Sequence, residues 1–471
     1  MTHITLFEDQ MSLVNRVRAE MPRHKSILMQ SATGSGKTVM ASYIIKKAVE
    51  KGSRCGMVFP RRELIRQTID TFNNFGIRHG VLAAGYKPNP FANVQLMTSG
   101  TVARRLDTAP KLSVIFIDEC HFGGAELDRI IRHYQAQGTW VIGLSATPMK
   151  TNGQGMSEWY SAMIEGPSIR WLMDNERLSD YRLFAPDQPD LSALRVSGGD
   201  YVQKDVDSYM MSEERGKVLV GNAAKHYRDH AFGKLNVSFC TSIKAAEMTA
   251  QMFRDKGIPS AAVSGKTDDA ELKRIIRAFA RREILNITNA QLLAFGFDLS
   301  QASGIDVTIE SMSDLSPTKS LPWQMQKNGR VLRMKDEPAL IFDHVSNAIE
   351  HGLPDSDREW TLEAKEKKKR GDTEKTEPTR QCPECFYVER PSPKCGNCGF
   401  EYPVMGREIK TVEGELVEVT DIAKRNKPQE IGVVARQSGL KGLLEYAKQE
   451  GYKNPSAWAR RQLSVRNLPI R

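Results

Sequence analysis

One octapeptide constrains this chain more than any other. SATGSGKT, Ser31 to Thr38, stands between the apolar run SILMQ and an amphipathic stretch from Lys37 toward Glu50. A strand that ends in a glycine-bearing turn and feeds a helix is where a phosphate-binding loop belongs. Gly34 and Gly36 let backbone N–H groups turn inward around phosphate oxygens, and the helix that follows presents its positive end. Lys37 would reach the β and γ phosphates, and the Thr38 hydroxyl is suited to Mg²⁺. The usual pattern begins with glycine, where the small Ser31 stands here. The expected phosphate site is therefore Ser31, Thr33, Gly34, Ser35, Gly36, Lys37 and Thr38. A plain glycine turn between strand and helix is the competing reading.

The surroundings repeat the same rhythm. From Ser26 to Thr147, apolar runs (SILMQ, CGMVF, VQLMT, VIFID, VIGLS) alternate with helical stretches, the pattern of a parallel sheet with crossover helices. A second series starts near Leu235 with NVSFC, AAVSG, ILNIT, DVTIE and ALIFD. The spacing predicts an α/β domain over residues 1–150, a connector and accessory segment over 151–216 and a second α/β domain over 217–353. A charged linker over 354–380, a cysteine module over 381–403 and a basic C-terminal module over 404–471 complete the expected order.

VIFIDECHF puts Asp118 and Glu119 at the end of a buried strand. One carboxylate can hold a metal ion and the other can polarise an attacking water, the parts that phosphoryl transfer needs. QKNGRVLR, Gln326 to Arg333, carries two arginines one helical turn apart, which fits either an anion held in a fixed geometry or a solvated helix face. His121 fits a packed strand-end histidine as well as a functional one. Cys120 reads as a small buried spacer.

DECH after GSGKT, with SATP at Ser145 to Pro148, resembles superfamily 2 helicases and translocases. FPRRELIRQ, TSGTVARRL, FGFD and QKNGRVLR extend the likeness over about residues 1 to 350. Within the superfamily, these segments with a cysteine module behind them look most like RadD-type DNA-repair ATPases and related phage helicases. The resemblance implies two tandem RecA-like domains that clamp ATP between them. It makes Lys37, Asp118, Glu119, Arg330 and Arg333 catalytic, with the arginines acting as fingers from the second domain, and gives Thr38 and Asp118 to Mg²⁺. Gly296, Asp298 and Gln326 would line the cleft, Gln10 would read adenine with Phe7 stacked on the base, and His121 would link the ATP site to the SAT segment. Pro60, Arg61, Thr98, Ser99, Thr241 and Ser242 would touch a nucleic-acid backbone. The expected activity is that of an ATP-dependent DNA helicase or translocase, with an RNA helicase or a scaffold with a vestigial ATPase as rivals.

Cys382, Cys385, Cys395 and Cys398 form CxxC, nine residues, CxxC, the spacing of a zinc ribbon with one closed, structural Cys₄ site. Disulfides are the alternative, disfavoured in a reducing compartment. The net charge of +10 is concentrated at the end of the chain, where residues 421–471 hold 11 Lys and Arg against 4 Asp and Glu. With Tyr446, Tyr452, Trp458, Arg460 and Arg461, this segment fits either DNA contact or a miniature aromatic core. DNA is thus the expected partner, with proteins of replication, repair or recombination beside it. No apolar run of about 18 residues predicts a membrane span. The acidic start MTHITLFEDQ is unlike a secretory signal, so a cytoplasmic protein of a bacterial or phage-infected cell is expected.

Overall fold

Apolar runs without polar alternation fold as strands buried on both faces, and the first series does so. The strands are β1 (Ser26–Gln30), β2 (Cys55–Phe59), β3 (Gly80–Leu82), β4 (Val94–Thr98), β5 (Val114–Ile117), β6 (Trp140–Ser145) and β7 (Ala162–Glu165). They make one parallel sheet in the order β3-β4-β2-β5-β6-β1-β7. Alternate residues enter different core clusters, Ile27 and Met29 on one face and Leu28 on the other. The computed structural model describes residues 4–150, 153–186, 189–212, 216–290, 292–293, 299–300, 304–363, 377–403, 428–452 and 454–465. It divides into two units, Met1–Tyr402 and Pro403–Arg471.

The second lobe of the first unit holds β8 (Tyr181–Phe184), a β9–β10 hairpin (Val196–Ser197, Asp200–Tyr201), β11 (Asn236–Phe239), β12 (Ser260–Val263), β13 (Asn286–Asn289), β14 (Ser311–Asp314) and β15 (Ala339–Asp343). Its parallel sheet runs β12-β13-β11-β14-β15-β8. Two expectations need correction. DVTIE is not a strand; the strand is the polar SMSD that follows, while Val307 and Ile309 are buried in the core beside it. The connector is not merely accessory, because it supplies β7 to the first sheet and β8 to the second.

Polar residues can occupy buried strands here because they satisfy one another. Asn286 donates to Ser260 Oγ at 2.9 Å, Asn236 to Asn286 Oδ1 at 2.8 Å, and Ser311 Oγ to Asn236 Oδ1 at 2.9 Å. These four lie in one row across β12, β13, β11 and β14. A slip of one residue would turn every one of these side chains to the other face and strand buried polar atoms, so the row fixes register.

After β15 the chain returns to the first lobe, where Leu362 O accepts from Met156 N at 2.7 Å and Ser157 N at 3.0 Å. The cysteine module pairs β16 (Arg380–Gln381) with β17 (Val388–Glu389) and lies beside the end of β8, with Phe184 bridged to Tyr387 and Ala185 N donating to Phe386 O at 3.0 Å. Val388 is buried in the second lobe's core.

In the second unit, helices Pro428–Gln449 and Pro455–Val465 pack through Leu443, Ala447, Ala459 and Leu463. Gly439 breaks the first helix at φ 54°, ψ −141°, a conformation that calls for glycine. Trp458 stacks on Tyr452 at 4.7 Å, lies 5.9 Å from Tyr446 and packs, partly buried, against that core. Arg460 and Arg461 stay exposed.

Candidate active site

The site forms where parallel strands end, outside the carboxyl edge of the first sheet. The strands β5, β6 and β1 are neighbours, so the acids after β5, the SAT segment after β6 and the loop after β1 converge. Gly34 and Gly36 both sit at φ 88°, the left-handed region that lets the loop curl back on itself. Lys37 is buried and its Nζ donates to Ser31 O at 3.3 Å and Ala32 O at 3.5 Å, drawn into the hollow of the loop. Ser31 Oγ and Ser35 Oγ meet at 2.5 Å. Thr33 Oγ1 is buried with no hydrogen-bond partner, as expected of a loop built to receive a polar ligand.

Glu119 begins the turn after β5 at φ 44°, an uncommon conformation for a residue with a Cβ. Its carboxylate accepts from Gln326 Nε2 at 3.1 Å, a bond from one lobe to the other. Burial opposes its charge, but Lys37, His121, Arg330 and the Gln326 bond together hold Glu119 below the usual carboxylate range. Asp118 behaves in the opposite way: burial and the adjacent Glu119 charge push it up to about 7, against the pull of Lys37. Glu119 is held ionised while Asp118 keeps its proton more readily. This division suits a base beside a metal ligand.

His121 is fully buried. Its Nδ1 lies 2.9 Å from Ser145 Oγ and 3.4 Å from Glu119 Oε2. Because Ser145 Oγ gives its own proton to Thr147 O at 2.6 Å, Nδ1 must carry the hydrogen. Burial pushes the imidazole down to about 4, so it is neutral at physiological pH and bonds the acid turn to the SAT segment.

Gln326 and Arg330 lie on the helix Leu321–Val331 of the second lobe, and Arg330 is buried with its charge acting on Glu119. Buried Lys327 on the same helix anchors it, donating to both Asp314 oxygens at 2.8 and 2.7 Å. Arg333, half-buried just beyond the helix, bridges through its backbone to Leu178. A Cβ on Gly34 would lie 3.0 Å from Leu178 Cδ2. Gly296 and Asp298 lie outside the described residues.

Gln10 is committed to the phosphate loop: its Nε2 donates to Ser35 O at 2.9 Å and its Oε1 accepts from Phe7 N at 3.1 Å. Phe7 is 53% exposed and carries the Arg177 guanidinium 3.8 Å from its ring centre, with Arg177 Nε 3.3 Å from Asp9. Arg177 was missed from sequence, since no local pattern marks a lone connector arginine.

Pro60 and Arg61 follow β2, Thr98 ends β4 with Ser99 after it, and Thr241 and Ser242 come just after β11, again at carboxyl ends of strands. A cavity of about 320 Å³ joins Pro60 and Ser99 to Asp118 and Glu119. Ser242 caps a helix by accepting from Ala245 N at 3.2 Å, and Thr98 Oγ1 donates to Thr101 Oγ1 at 2.8 Å. Thr241 Oγ1 is buried without a hydrogen-bond partner.

In the ribbon, the four Sγ atoms lie within 4.8 Å of one another, with Cys382 to Cys398 at 3.6 Å and Cys385 to Cys395 at 3.7 Å. A tetrahedral zinc with bonds of about 2.3 Å requires sulfurs about 3.8 Å apart, so the set fits that metal. The knuckle positions Phe386 and Gly399 are left-handed, at φ 59° and 77°.

Comparison with known proteins places the chain among relatives. The family described as type III restriction enzyme, res subunit, matches residues 3–150. A 51.5 kDa protein of Lactococcus phage (isolate 7-9) is 30% identical over 408 residues, 84% of this chain and 85% of that one. IRC3 of Saccharomyces cerevisiae, provisionally named an ATP-dependent helicase, is 25% identical over 328 residues, which are 66% of this chain and 46% of that protein. This chain thus matches about half the length of the yeast relative. Among solved structures, the ATP-dependent type ISP restriction-modification enzyme LlaBIII bound to DNA shares the fold, with a TM-score of 0.54 and 16% identity over 72% of this chain and 28% of that one. Two RecA-like lobes, the ordered motifs between them and the extended identity to the phage protein make this chain a superfamily 2 helicase, of the family to which the Lactococcus phage 51.5 kDa protein belongs.

Proposed function

We propose that this chain hydrolyses ATP between its lobes and uses the accompanying motion to travel along or remodel DNA. The observation that carries the reading is the 3.1 Å bond from Gln326 to Glu119, which brings the arginine helix of one lobe onto the acids of the other. Lys37 and the loop amides would hold the phosphates, while Thr38 and Asp118 would hold Mg²⁺, which neutralises phosphate charge. Glu119, kept ionised, orients the attacking water and takes its proton. Arg330, together with Arg333, opposes the charge on the transferring phosphoryl group. Since these arginines belong to the other lobe, they act only when the cleft is closed, and hydrolysis is tied to lobe motion. Gln10, Phe7 and Arg177 form the proposed adenine end, with Gly296 and Asp298 as further cleft residues.

Pro60, Arg61, Thr98, Ser99, Thr241 and Ser242 are proposed as backbone contacts, which position a strand without reading its sequence. DNA is favoured over RNA by the likeness to restriction-type enzymes and by the DNA in the LlaBIII complex. The phage relative supports action in the cytoplasm of an infected bacterium, and among the described residues no helix is long and apolar enough to cross a membrane. Protein partners in replication, repair or recombination belong to the same proposal. Cys382, Cys385, Cys395 and Cys398 would hold a structural zinc. The test is ATPase turnover with no nucleic acid, single-stranded DNA, duplex DNA and RNA. Stimulation by DNA above RNA is expected, and stimulation by RNA alone would replace this reading with the RNA-helicase one.

A further inference from the structure

The stretch of the connector between β7 and β8 touches the base end, the phosphate loop and the arginine helix of the ATP site. It begins with the short helix Ile169–Asp174, whose Leu172 O accepts from Arg177 N at 2.7 Å and Leu178 N at 3.1 Å. Arg177 then lies on Phe7, Leu178 lies against Gly34 and is bridged to Arg333, and Ser179 N donates to Leu332 O at 3.0 Å. The next residues are β8, the edge strand of the second lobe. A shift of this connector would therefore displace the base end, the phosphate loop and the arginine helix together.

Both ends of the connector are tied to one carboxylate. The Asp355 side chain is 1% exposed, accepts from the Tyr181 hydroxyl on β8, and lies 3.6 Å from Arg170 Nη1 on the short helix. Its third partner is Arg390 of the ribbon, whose Nη1 donates to Oδ2 at 3.2 Å. The ribbon also holds the end of β8 directly. Phe386 O accepts from Ala185 N, the Gln381 amide donates to Ala185 O, and the Tyr387 ring lies 5.6 Å from that of Phe184. Phe386 makes its contact from a left-handed backbone, unusual for an aromatic residue and kept where surrounding structure fixes it. Two groups fix it here, the cysteine knuckle on one side and β8 on the other.

We propose that the ribbon is a brace on the ATP site. With its four thiolates closed on zinc, Phe386 and Arg390 hold β8 and Asp355, and Asp355 holds the connector where Leu178 and Arg177 complete the nucleotide pocket. Asp355 and Arg390 are positioning residues, acting on nucleotide through the connector. The loss of zinc would then loosen ATP binding although the metal lies on a separate module. This inference rests on the ATPase reading given above.

The test uses the full chain with Arg390→Ala, a partly exposed residue paired with Asp355 and Glu377, and Asp355→Asn beside it. Zinc content, affinity for a fluorescent ATP analogue and amide exchange over residues 176–185 are measured. The expected result is one zinc per chain, nucleotide affinity weakened roughly 2- to 30-fold, and faster exchange in that segment. Chelating zinc from the wild type should give the same changes, and should add little to Arg390→Ala because the two act on one linkage. Unchanged affinity and exchange in Arg390→Ala with zinc retained would overturn the brace. A wild type that fails to bind the analogue would instead condemn the ATP-site reading, and the exchange arm would still decide whether the ribbon holds the connector.

Discussion

Gly329 and Thr33 touch across the cleft so closely that a Cβ on Gly329 would lie 2.4 Å from both Cβ and Cγ2 of Thr33. No side chain fits between the phosphate loop and the arginine helix in this arrangement. The glycine of QKNGRVLR is therefore a closure residue: Gly329→Ala must hold the lobes apart or push the loop aside. Since a misplacement of about 1 Å can cost roughly 10²-fold in rate, turnover should fall by about that factor. The wider gap leaves both lobes folded, so the melting temperature should change little. Near-normal turnover of Gly329→Ala would show that closure does not require this contact.

Lys37→Ala and Glu119→Gln should both stop hydrolysis but differ in binding. Lys37 points into the loop proposed to hold the phosphates, so its loss should weaken ATP affinity. In the proposed mechanism Glu119 acts on water, and glutamine keeps its shape while removing the base; affinity should survive while turnover falls about 10²- to 10⁴-fold. Equilibrium binding and single-turnover rates separate the two, and substantial hydrolysis by Glu119→Gln would remove it from the role of base.

Much of this site was legible because its chemistry is local in sequence. Gly34, Gly36 and Lys37 mark a loop, and DECH marks a strand end, without any knowledge of their neighbours. Arg177 and Asp355 could not be read in this way, since their meaning comes from Phe7, Tyr181 and Arg390, far along the chain. Strand β14 failed for a related reason: Ser311 and Ser313 look like surface residues until Asn236 is placed beside them. The ribbon's cysteine spacing predicted a metal site, but nothing in that spacing foretold that Phe386 would bond to the end of β8.

Acid should destabilise the protein partly through His121. Burial lowers its folded pKa to about 4, whereas in the unfolded chain it is near 6.5. The unfolded state therefore takes up the proton first as pH falls. The stability contributed by the neutral, packed imidazole is complete above about 6.5 and is lost on descent to about 4, an effect on the order of 3 kcal/mol at most. His121→Asn keeps a donor near the position of Nδ1 and removes the titration. Urea unfolding at pH 7 and pH 4.5 should show a smaller acid loss for the variant than for the wild type; equal losses would mean that His121 does not titrate with the fold.

The final prediction concerns residues 404–471. Every contact described between the ribbon, the connector and the ATP site lies within Met1–Tyr402, so a chain ending at residue 403 should keep its zinc and its basal ATPase. The removed segment includes residues 421–471, with 11 Lys and Arg against 4 Asp and Glu. Its aromatics Tyr446 and Tyr452 both stack on Trp458, so the segment would hold DNA through charge, including the exposed Arg460 and Arg461. Such contacts release counterions, and each one lost should lower the slope of log affinity against log salt by about 0.7 to 0.9. The shortened chain should therefore bind DNA more weakly at low salt and approach the full chain at high salt. Equal affinity and equal slope would make this module a site for a protein partner and not for DNA.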